Sequence, residues 1–182
     1  MGSIVRALDA TLSQIYISPG HNYFGHHGKP AGEDPIVAVE SINCVAGSGI
    51  EGDRFFDFKP DYKGQITFFS WDDFEAIKAD LNVPALSAGA FRRNVLLSGV
   101  DWNELVGCRF EIQGVLFEGT GEAKPCYWMN QAIAPGAEEW LKGRGGLRAK
   151  ILRDGPLSVG PAELKIVESE ASPASAGASS PA

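Results

Sequence analysis

The sequence contains few cysteines, and it has no apolar run long enough to cross a bilayer. The three cysteines, at positions 44, 108 and 126, are odd in number and show no CxxC spacing. A disulfide framework and a structural zinc site are therefore poorly supported. The first residues also lack the long apolar core of a signal peptide. Together these absences predict a cytoplasmic protein with free thiols.

An excess of positive charge is absent too, because the formal net charge is −7 at pH 7. Such a field repels nucleic acid and anionic lipid, so we expect no nucleic-acid partner and no membrane partner. A local basic pocket can override a weak net field, which leaves a small anionic ligand open. The sequence has no P-loop and no GxSxG motif, so a P-loop nucleotide site and a serine hydrolase lack their signatures.

What the sequence does contain is many short apolar runs separated by turn residues. Its 22 glycines and 11 prolines fall between these runs, a pattern typical of strands and turns. One useful helix is predicted at 71–81, with Ser70 as its N-cap. The predicted strands lie at 36–45, 65–69, 93–97, 108–112, 115–118, 147–153 and 163–167, and the short helices at 101–106, 127–133 and 137–142. The pattern favours a mainly β, closed or semi-closed barrel with a few short helices.

The chain of 182 residues is long enough for one domain with a tail. We predict an N-terminal segment at 1–35 that packs on the barrel, and the barrel domain itself at 36–167. The remaining residues, 168–182, are mostly Ser, Ala, Pro, Gly and Glu. Such residues bury too little surface to offset the entropy of ordering, so we expect a disordered tail.

The segment Lys124-Pro125-Cys126 is the most informative for chemistry. Proline is favoured in the first turn of a helix, and the unpaired N–H groups of a helix start would favour a thiolate at Cys126. The charge of Lys124 would act in the same direction. Cys126 is then a nucleophile or a soft metal ligand, although it could also be a small buried apolar group. Cys44 and Cys108 lie in apolar strand patterns and are predicted to be buried.

Two glycine-containing segments carry arginines that could meet an anion. The segment 49–54 is either a turn with a surface Asp–Arg pair or a loop that approaches a ligand closely, with Arg54 as a bidentate donor. In the segment 88–94, Arg92 and Arg93 are either a surface basic pair or a phosphate clamp, and Asn94 could hydrogen-bond the edge of a heterocycle.

All three histidines, His21, His26 and His27, fall within seven positions. Imidazoles in such a cluster suit metal ligation or acid–base work, but no HExxH pattern is present. An exposed polar loop is the plain interpretation of any one of them. We favour a loop that folds over the site and contacts an anionic ligand over a metal centre.

In their order and spacing, five segments resemble the MOSC domain, which is the C-terminal domain of molybdenum-cofactor sulfurases and also occurs as small stand-alone bacterial proteins. They are Gly-Ile-Glu-Gly-Asp-Arg at 49–54, Gly-Gln-Ile-Thr at 64–67, Gly-Ala-Phe-Arg-Arg-Asn at 89–94, Leu-Val-Gly at 105–107 and Lys-Pro-Cys at 124–126. The resemblance covers about residues 36–167, and it implies a β-barrel similar to the pyruvate-kinase barrel. Relatives commonly have an arginine three residues before the cysteine, where this chain has Ala123. They often have a histidine just after Gly-Asp, where Phe55 and Phe56 stand here.

The resemblance further implies a site for the molybdenum cofactor, with Cys126 as the catalytic thiol and as the metal ligand or sulfur carrier. The pterin phosphate is anionic, which gives the basic residues a reason to converge on it. The residues assigned to cofactor binding are Gly52, Asp53, Arg54, Phe91, Arg92, Arg93, Asn94, Lys124, His21, His26 and His27. Pyridoxal phosphate is associated with the family through fused desulfurase domains, so we do not expect this chain to bind it.

The functions implied are reduction of N-hydroxylated compounds or sulfuration of the cofactor, with a redox or sulfur-donor protein as partner. Two alternatives remain open at this point. One is a non-enzymatic carrier of molybdopterin or sulfur, and the other is a metalloenzyme built on the histidine loop.

Overall fold

Eleven strands and three α-helices follow one another along residues 2–168, the part of the chain that the computed structural model describes. Short 3-10 helices span Ala88–Phe91 and Trp102–Leu105. The tail predicted at 168–182 lies outside the described residues except for Glu168. In chain order the elements are β1 (Ile4–Ile17), β2 (Val37–Val39), β3 (Ser41–Val45), β4 (Gly49–Ile50), β5 (Ile66–Ser70), α1 (Trp71–Asp80), β6 (Val95–Ser98), β7 (Arg109–Ile112), β8 (Val115–Glu122), α2 (Trp128–Ala132), α3 (Ala137–Trp140), β9 (Leu147–Arg153), β10 (Gly155–Ser158) and β11 (Gly160–Val167).

Seven of these strands form a closed barrel. Their order is β1, β6, β5, β9, β8, β7 and β11, and β11 pairs with β1 to close the ring. The β5–β6 pair is parallel, and the other neighbouring pairs are antiparallel. Closure gives every barrel strand a partner on both sides. The prediction of a mainly β barrel with a few short helices is confirmed.

The longest strand, β1, was not predicted from the sequence. Its second half is buried at Leu12 and Ile15, but Ile4 and Val5 in its first half are 56% and 64% exposed. Exposed apolar residues interrupt the alternation by which a half-buried strand is recognised. β1 pairs with β11 over its first half and with β6 over its second half, so its conformation depends on partners that are distant in sequence.

The region 36–45 was predicted as one strand, whereas the structure divides it between two sheets. The chain bends at Glu40. β2 pairs with β1 on the barrel, while β3 pairs with β10 and β4 in a separate three-stranded sheet. Apolar periodicity does not reveal that the partner strand changes at this bend.

Local signals predicted two other elements correctly. The Oγ atom of Ser70 accepts a hydrogen bond from the backbone N of Asp73 at 3.0 Å, so α1 begins with the predicted N-cap. β7 and β8 form the predicted hairpin, and Gln113 and Gly114 between them have φ values of 50° and 84°. Positive φ at both central residues matches the right-handed twist of the paired strands.

β5 joins two apolar clusters because consecutive strand residues point to opposite faces. Phe68 lies in the barrel interior, where its ring stacks on Trp102 and meets Phe117 edge to face. Its neighbour Phe69 points outward and stacks on Phe91 at a centroid distance of 4.6 Å. The outer cluster fixes the helices and the segment before β6 against the barrel wall, and thereby positions the arginines described below.

The three cysteines have different environments. Cys44 is buried in the barrel core as predicted, and burial raises the pKa of its thiol to about 12. Cys108 is only half-buried, and its Sγ atom lies 3.4 Å from the backbone O of Glu104. Cys126 is exposed. No helix within residues 2–168 has both the length and the apolar character needed to cross a bilayer.

Candidate functional site

Cys126 lies in a cleft on the outside of the barrel, in the connection between β8 and α2. Five cationic side chains line the same cleft, and they come from four separate parts of the chain. They are Arg54, Arg92, Arg93, Lys124 and Arg148. The structure therefore places the predicted thiol beside every arginine and lysine that the sequence analysis assigned to the cofactor.

The positive surroundings of Cys126 come from these side chains more than from a helix. α2 has five residues, begins at Trp128 and lacks a side-chain cap. The backbone O of Cys126 accepts a hydrogen bond from Met129 N at 2.9 Å, which closes the first turn. So short a helix contributes little dipole, and the argument from a helix start is weaker than the sequence suggested.

Arg93 ties the thiol-bearing connection to the barrel. Its guanidinium group donates to the backbone O atoms of Ala123 at 2.7 Å, Gly145 at 2.9 Å and Phe91 at 3.0 Å. Burial and then the charge of Arg148 lower the pKa of Arg93 to about 10, although a Cys126 thiolate would favour its charged form. Arg93 thus stays charged near neutral pH and fixes the backbone three residues before Cys126.

Arg92 has an unusual conformation at the wall of the cleft. Its backbone is left-handed, with φ 54° and ψ 34°. Its Nη2 atom donates to Ser18 Oγ at 3.2 Å and to the backbone O of Gly20 at 2.8 Å. The Nη1 atom is buried and has no hydrogen-bond partner within residues 2–168. Burial and then the charge of Arg54 lower the pKa of Arg92 to about 10.

Arg54 connects the Gly-Asp loop to Arg92. It donates to Asp53 Oδ1 at 3.2 Å and to the backbone O of Arg92 at 3.3 Å. Its guanidinium carbon also lies 4.9 Å from the centre of the Phe55 ring, close enough for a cation–π contact. Burial lowers the pKa of Arg54, while the charge of Asp53 acts against that shift.

Asp53 is buried beneath the cleft and does not line it. Its carboxylate accepts hydrogen bonds from the backbone N atoms of Ser18 at 3.1 Å and Phe55 at 3.2 Å. The Nδ2 atom of Asn94 donates to the same carboxylate at 3.4 Å. With Arg54 as a fourth partner, the oxygens of Asp53 are occupied by the protein.

The side-chain amide of Asn94 also forms its hydrogen bonds with other residues of the protein. Its Oδ1 atom accepts from both the backbone N and the Oγ1 of Thr67, each at 3.0 Å, and its Nδ2 atom also donates to the backbone O of Tyr16 at 3.2 Å. Phe91 lines the cleft as a buried ring, whereas Gly52 occupies a turn with φ 82° and does not line it. Among these predicted residues, Asp53 and Asn94 hold the arginine-bearing loops in place.

The histidines do not gather around one point. His21 lines the cleft, while the Nδ1 atom of His26 lies 2.9 Å from the backbone O of Pro30 and that of His27 lies 3.5 Å from Tyr127 Oη. Within residues 2–168, no group of three or more His, Cys, Asp or Glu side chains is placed to hold a metal ion. The interpretation as a histidine-loop metalloenzyme therefore has no support in the geometry.

His21 packs edge to face against Phe55 at a centroid distance of 4.8 Å. The N-terminal loop thus brings an imidazole next to the Gly-Asp loop that carries Phe55. Burial, followed by the charges of Arg54 and Arg92, lowers the pKa of His21. Its ring is consequently neutral near pH 7.

Several cleft residues were missed by the sequence analysis. Arg148 is the exposed residue between Leu147 and Ala149, which are both buried in the barrel core. That alternation shows that Arg148 points outward, but not which strands flank it. Tyr23 and Phe24 also line the cleft, and their proximity to Cys126 depends on how the N-terminal loop folds back.

The barrel and its cleft define a small β-barrel domain that presents one exposed thiol among basic side chains. The family model of the MOSC domain matches residues 25–162. The chain belongs to the MOSC domain family, which is associated with the molybdenum cofactor.

Solved structures with the same fold include three small proteins. YuaD from Bacillus subtilis aligns with a TM-score of 0.70 and 19% identity, over 90% of this chain and 99% of that one. YiiM from Geobacillus stearothermophilus aligns with a TM-score of 0.62 and 18% identity, over 87% and 75% of the two chains. YiiM from Escherichia coli aligns with a TM-score of 0.60 and 16% identity, over 92% and 72%. No match was found among curated proteins.

Proposed function

We propose that the basic cleft binds the anionic pterin of the molybdenum cofactor, and that Cys126 is the thiol that ligates molybdenum or carries activated sulfur. The observation that carries this proposal is the exposed Cys126 thiol in a cleft lined by four guanidinium groups and one ammonium group. A thiolate is a suitable soft ligand for such a metal and a suitable acceptor for persulfide sulfur.

The charge balance of the cleft favours an anionic ligand. Burial is the largest cause of the lowered pKa values of Arg92 and Arg93, and the nearby charge of Arg54 lowers both further. Asp53 offsets part of this charge, but its oxygens are already shared among four donors. A phosphate has several acceptor oxygens and can pair with more than one guanidinium at once, which would relieve the repulsion.

The residues present fit the cofactor on two further observations. The buried Nη1 atom of Arg92 has no acceptor among the described residues, so the site has a donor to spare. Cys126 is exposed and lines the same cleft. Arg54, Arg92 and Arg148 would hold the phosphate, and Cys126 would approach the metal. When bound, the cofactor supplies a molybdenum centre that exchanges electrons with a substrate.

The chain's own residues would orient the ligand and accept a proton. Arg93 holds the connection that carries Cys126, through its hydrogen bond to Ala123. His21 is neutral near pH 7 at the cleft wall, so it can accept a proton there. Reduction of an N-hydroxylated compound, with electrons from a redox partner, is one reaction that such a site could serve.

A non-enzymatic carrier is the second candidate, and the exposure of Cys126 is the observation that favours it. A sulfur atom held at an exposed thiol can be reached by a partner protein as well as by a small molecule. Bound molybdopterin without turnover of any N-hydroxylated amine would identify this second function.

The test is to purify the protein from a host that makes the cofactor and to measure molybdenum by mass spectrometry and released pterin by fluorescence. Arg148→Met removes one cleft charge, and Arg153→Met on the same strand is its matched control because Arg153 pairs with Glu111 at 2.9 Å outside the cleft. We expect bound pterin to fall several-fold in Arg148→Met and to be unchanged in Arg153→Met.

The role of the thiol is tested in the same preparation. Cys126→Ala should lose molybdenum or bound sulfur, and Cys108→Ala should retain both. Absence of pterin and molybdenum from the wild type and from all four variants would overturn the proposal.

A further inference from the structure

Arg92 combines two unfavourable features in one residue. Its left-handed backbone is rare for a residue with a side chain, and its buried Nη1 atom has no hydrogen-bond partner within residues 2–168. The remainder of the guanidinium is held firmly, since Nη2 donates to Ser18 and Gly20. Such costs concentrate at positions that act on a ligand. The spare donor therefore indicates where an acceptor is to be received.

The ring of Tyr23 covers this guanidinium group. The centre of the ring lies 5.3 Å from the guanidinium carbon of Arg92, in cation–π range. The same ring stacks on Trp128 at a centroid distance of 5.0 Å and an interplanar angle of 16°. Trp128 is two residues after Cys126, so Tyr23 bridges the arginine and the thiol-bearing connection. Both contacts are made by ring faces, which can separate without breaking a hydrogen bond.

The loop that carries Tyr23 is fixed at its base. Asn22 donates through Nδ2 to the backbone O of Asp34 at 2.9 Å and accepts from Asp34 N at 2.8 Å. The backbone O of Asn22 also accepts from Gly32 N at 2.8 Å. Beyond this clamp the loop closes its own turn, as His26 N donates to the backbone O of Tyr23 at 3.0 Å. The segment 23–31 also contacts the rest of the protein through His27, whose Nδ1 atom lies 3.5 Å from Tyr127 Oη. Rotation of the Tyr23 side chain is therefore the motion that would expose Arg92.

We propose that Tyr23 is a gate over Arg92, and that an anionic group of the ligand displaces its ring to pair with Nη1. The proposal rests on the proposed function, because it concerns an anion in the same cleft. In the closed arrangement the aromatic ring occupies the face of the guanidinium, and in the open arrangement a phosphate oxygen takes the spare donor. Displacement also removes the stack on Trp128, so ligand binding and the environment of Trp128 are coupled.

Inorganic phosphate is the probe, because it has the oxygens of a phosphate monoester without the pterin. Binding is measured by calorimetry, and the opening of the gate by tryptophan fluorescence. The ring contact that phosphate must break is worth a factor of about 3 to 10 in affinity. We therefore expect Tyr23→Ala to bind phosphate about 3- to 10-fold more tightly than the wild type, and Tyr23→Phe, which keeps the ring, to bind like the wild type.

Fluorescence separates gating from simple binding. Phosphate should change the emission of the wild type, and this change should be lost in Trp128→Phe and in Arg92→Lys. Phosphate binding with equal affinity in wild type and Tyr23→Ala, without a change at Trp128, would refute the gate and leave the basic cleft intact. Failure of phosphate to bind either protein would refute the gate as well, and pterin retention would then decide separately whether the proposed function stands.

Discussion

Replacing Asp53 with alanine tests whether this residue is a structural support or a ligand contact. The residue is 6% exposed, and its carboxylate accepts hydrogen bonds from Ser18, Arg54, Phe55 and Asn94. Alanine removes the carboxylate that accepts from all four donors. Three neutral donors and one guanidinium group, all close to the barrel wall, then lose their partner.

The magnitude follows from the donors that are left behind. A buried donor without an acceptor costs about 1–3 kcal/mol, and breaking a buried ion pair by removing one partner costs about 3–5 kcal/mol. Water can reach part of the loop and replace some of the lost hydrogen bonds of the neutral donors. We therefore expect the free energy of unfolding to fall by about 4 kcal/mol, which is about the cost of breaking the ion pair alone. For a chain of this length, about 2–4 °C is lost per kcal/mol, so Tm should fall by roughly 12 °C.

Thermal unfolding followed by circular dichroism measures this change. Asp9→Asn on the exposed first half of β1 is the control, and its Tm should match that of the wild type. Asp53→Asn keeps one acceptor oxygen, so it should lose about half as much stability as Asp53→Ala. A fall of less than about 3 °C for Asp53→Ala, together with a loss of pterin binding, would refute the structural role and make Asp53 a ligand contact.

The N-cap of α1 and the imidazole of His21 provide two more expectations. Ser70→Ala removes the acceptor of the Asp73 N–H and should lower the free energy of unfolding by about 1 kcal/mol in urea, and no change would show that the cap is dispensable. Burial and then the charges of Arg54 and Arg92 lower the pKa of His21 below its ordinary 6.5, so the unfolded chain takes up this proton first as the pH falls. Stability should therefore decline below pH 6.5, and His21→Phe should lack this part of the decline in urea midpoints measured at a series of pH values; parallel profiles would contradict it.

The proposed gate changes how the N-terminal loop is understood. The sequence suggested that its histidines contact the ligand, but the structure brings only His21 of the three into the cleft with Cys126. The loop contributes Tyr23 and Phe24 to the same cleft, and Phe24 is 67% exposed. Aromatic residues thus form much of the contact between this loop and the site.

Some features of this protein could be predicted because they depend on residues close together in the chain. Ser70 caps α1 through a neighbour three positions away, and Gln113 and Gly114 set the β7–β8 hairpin between adjacent strands. The many short apolar runs between turn residues were enough to predict a barrel, because such runs are buried most simply in a closed sheet. The segment containing Cys126 also identified the one exposed cysteine.

Other features depend on contacts between distant parts of the chain, and only the folded structure decided them. β1 is a strand because it pairs with β11 and β6, which are distant in sequence. Its exposed apolar residues interrupt the alternation of apolar and polar residues that would have predicted it. Arg54 and Arg148 line one cleft although 94 positions separate them, because β5 places its neighbour β9 beside the Gly-Asp loop. Asp53 lies buried beside the cleft because Ser18 and Asn94, 35 and 41 positions away, donate hydrogen bonds to its carboxylate. Sequence spacing identifies which groups are capable of the chemistry, whereas long-range pairing decides which of them line the cleft and which hold the others in place.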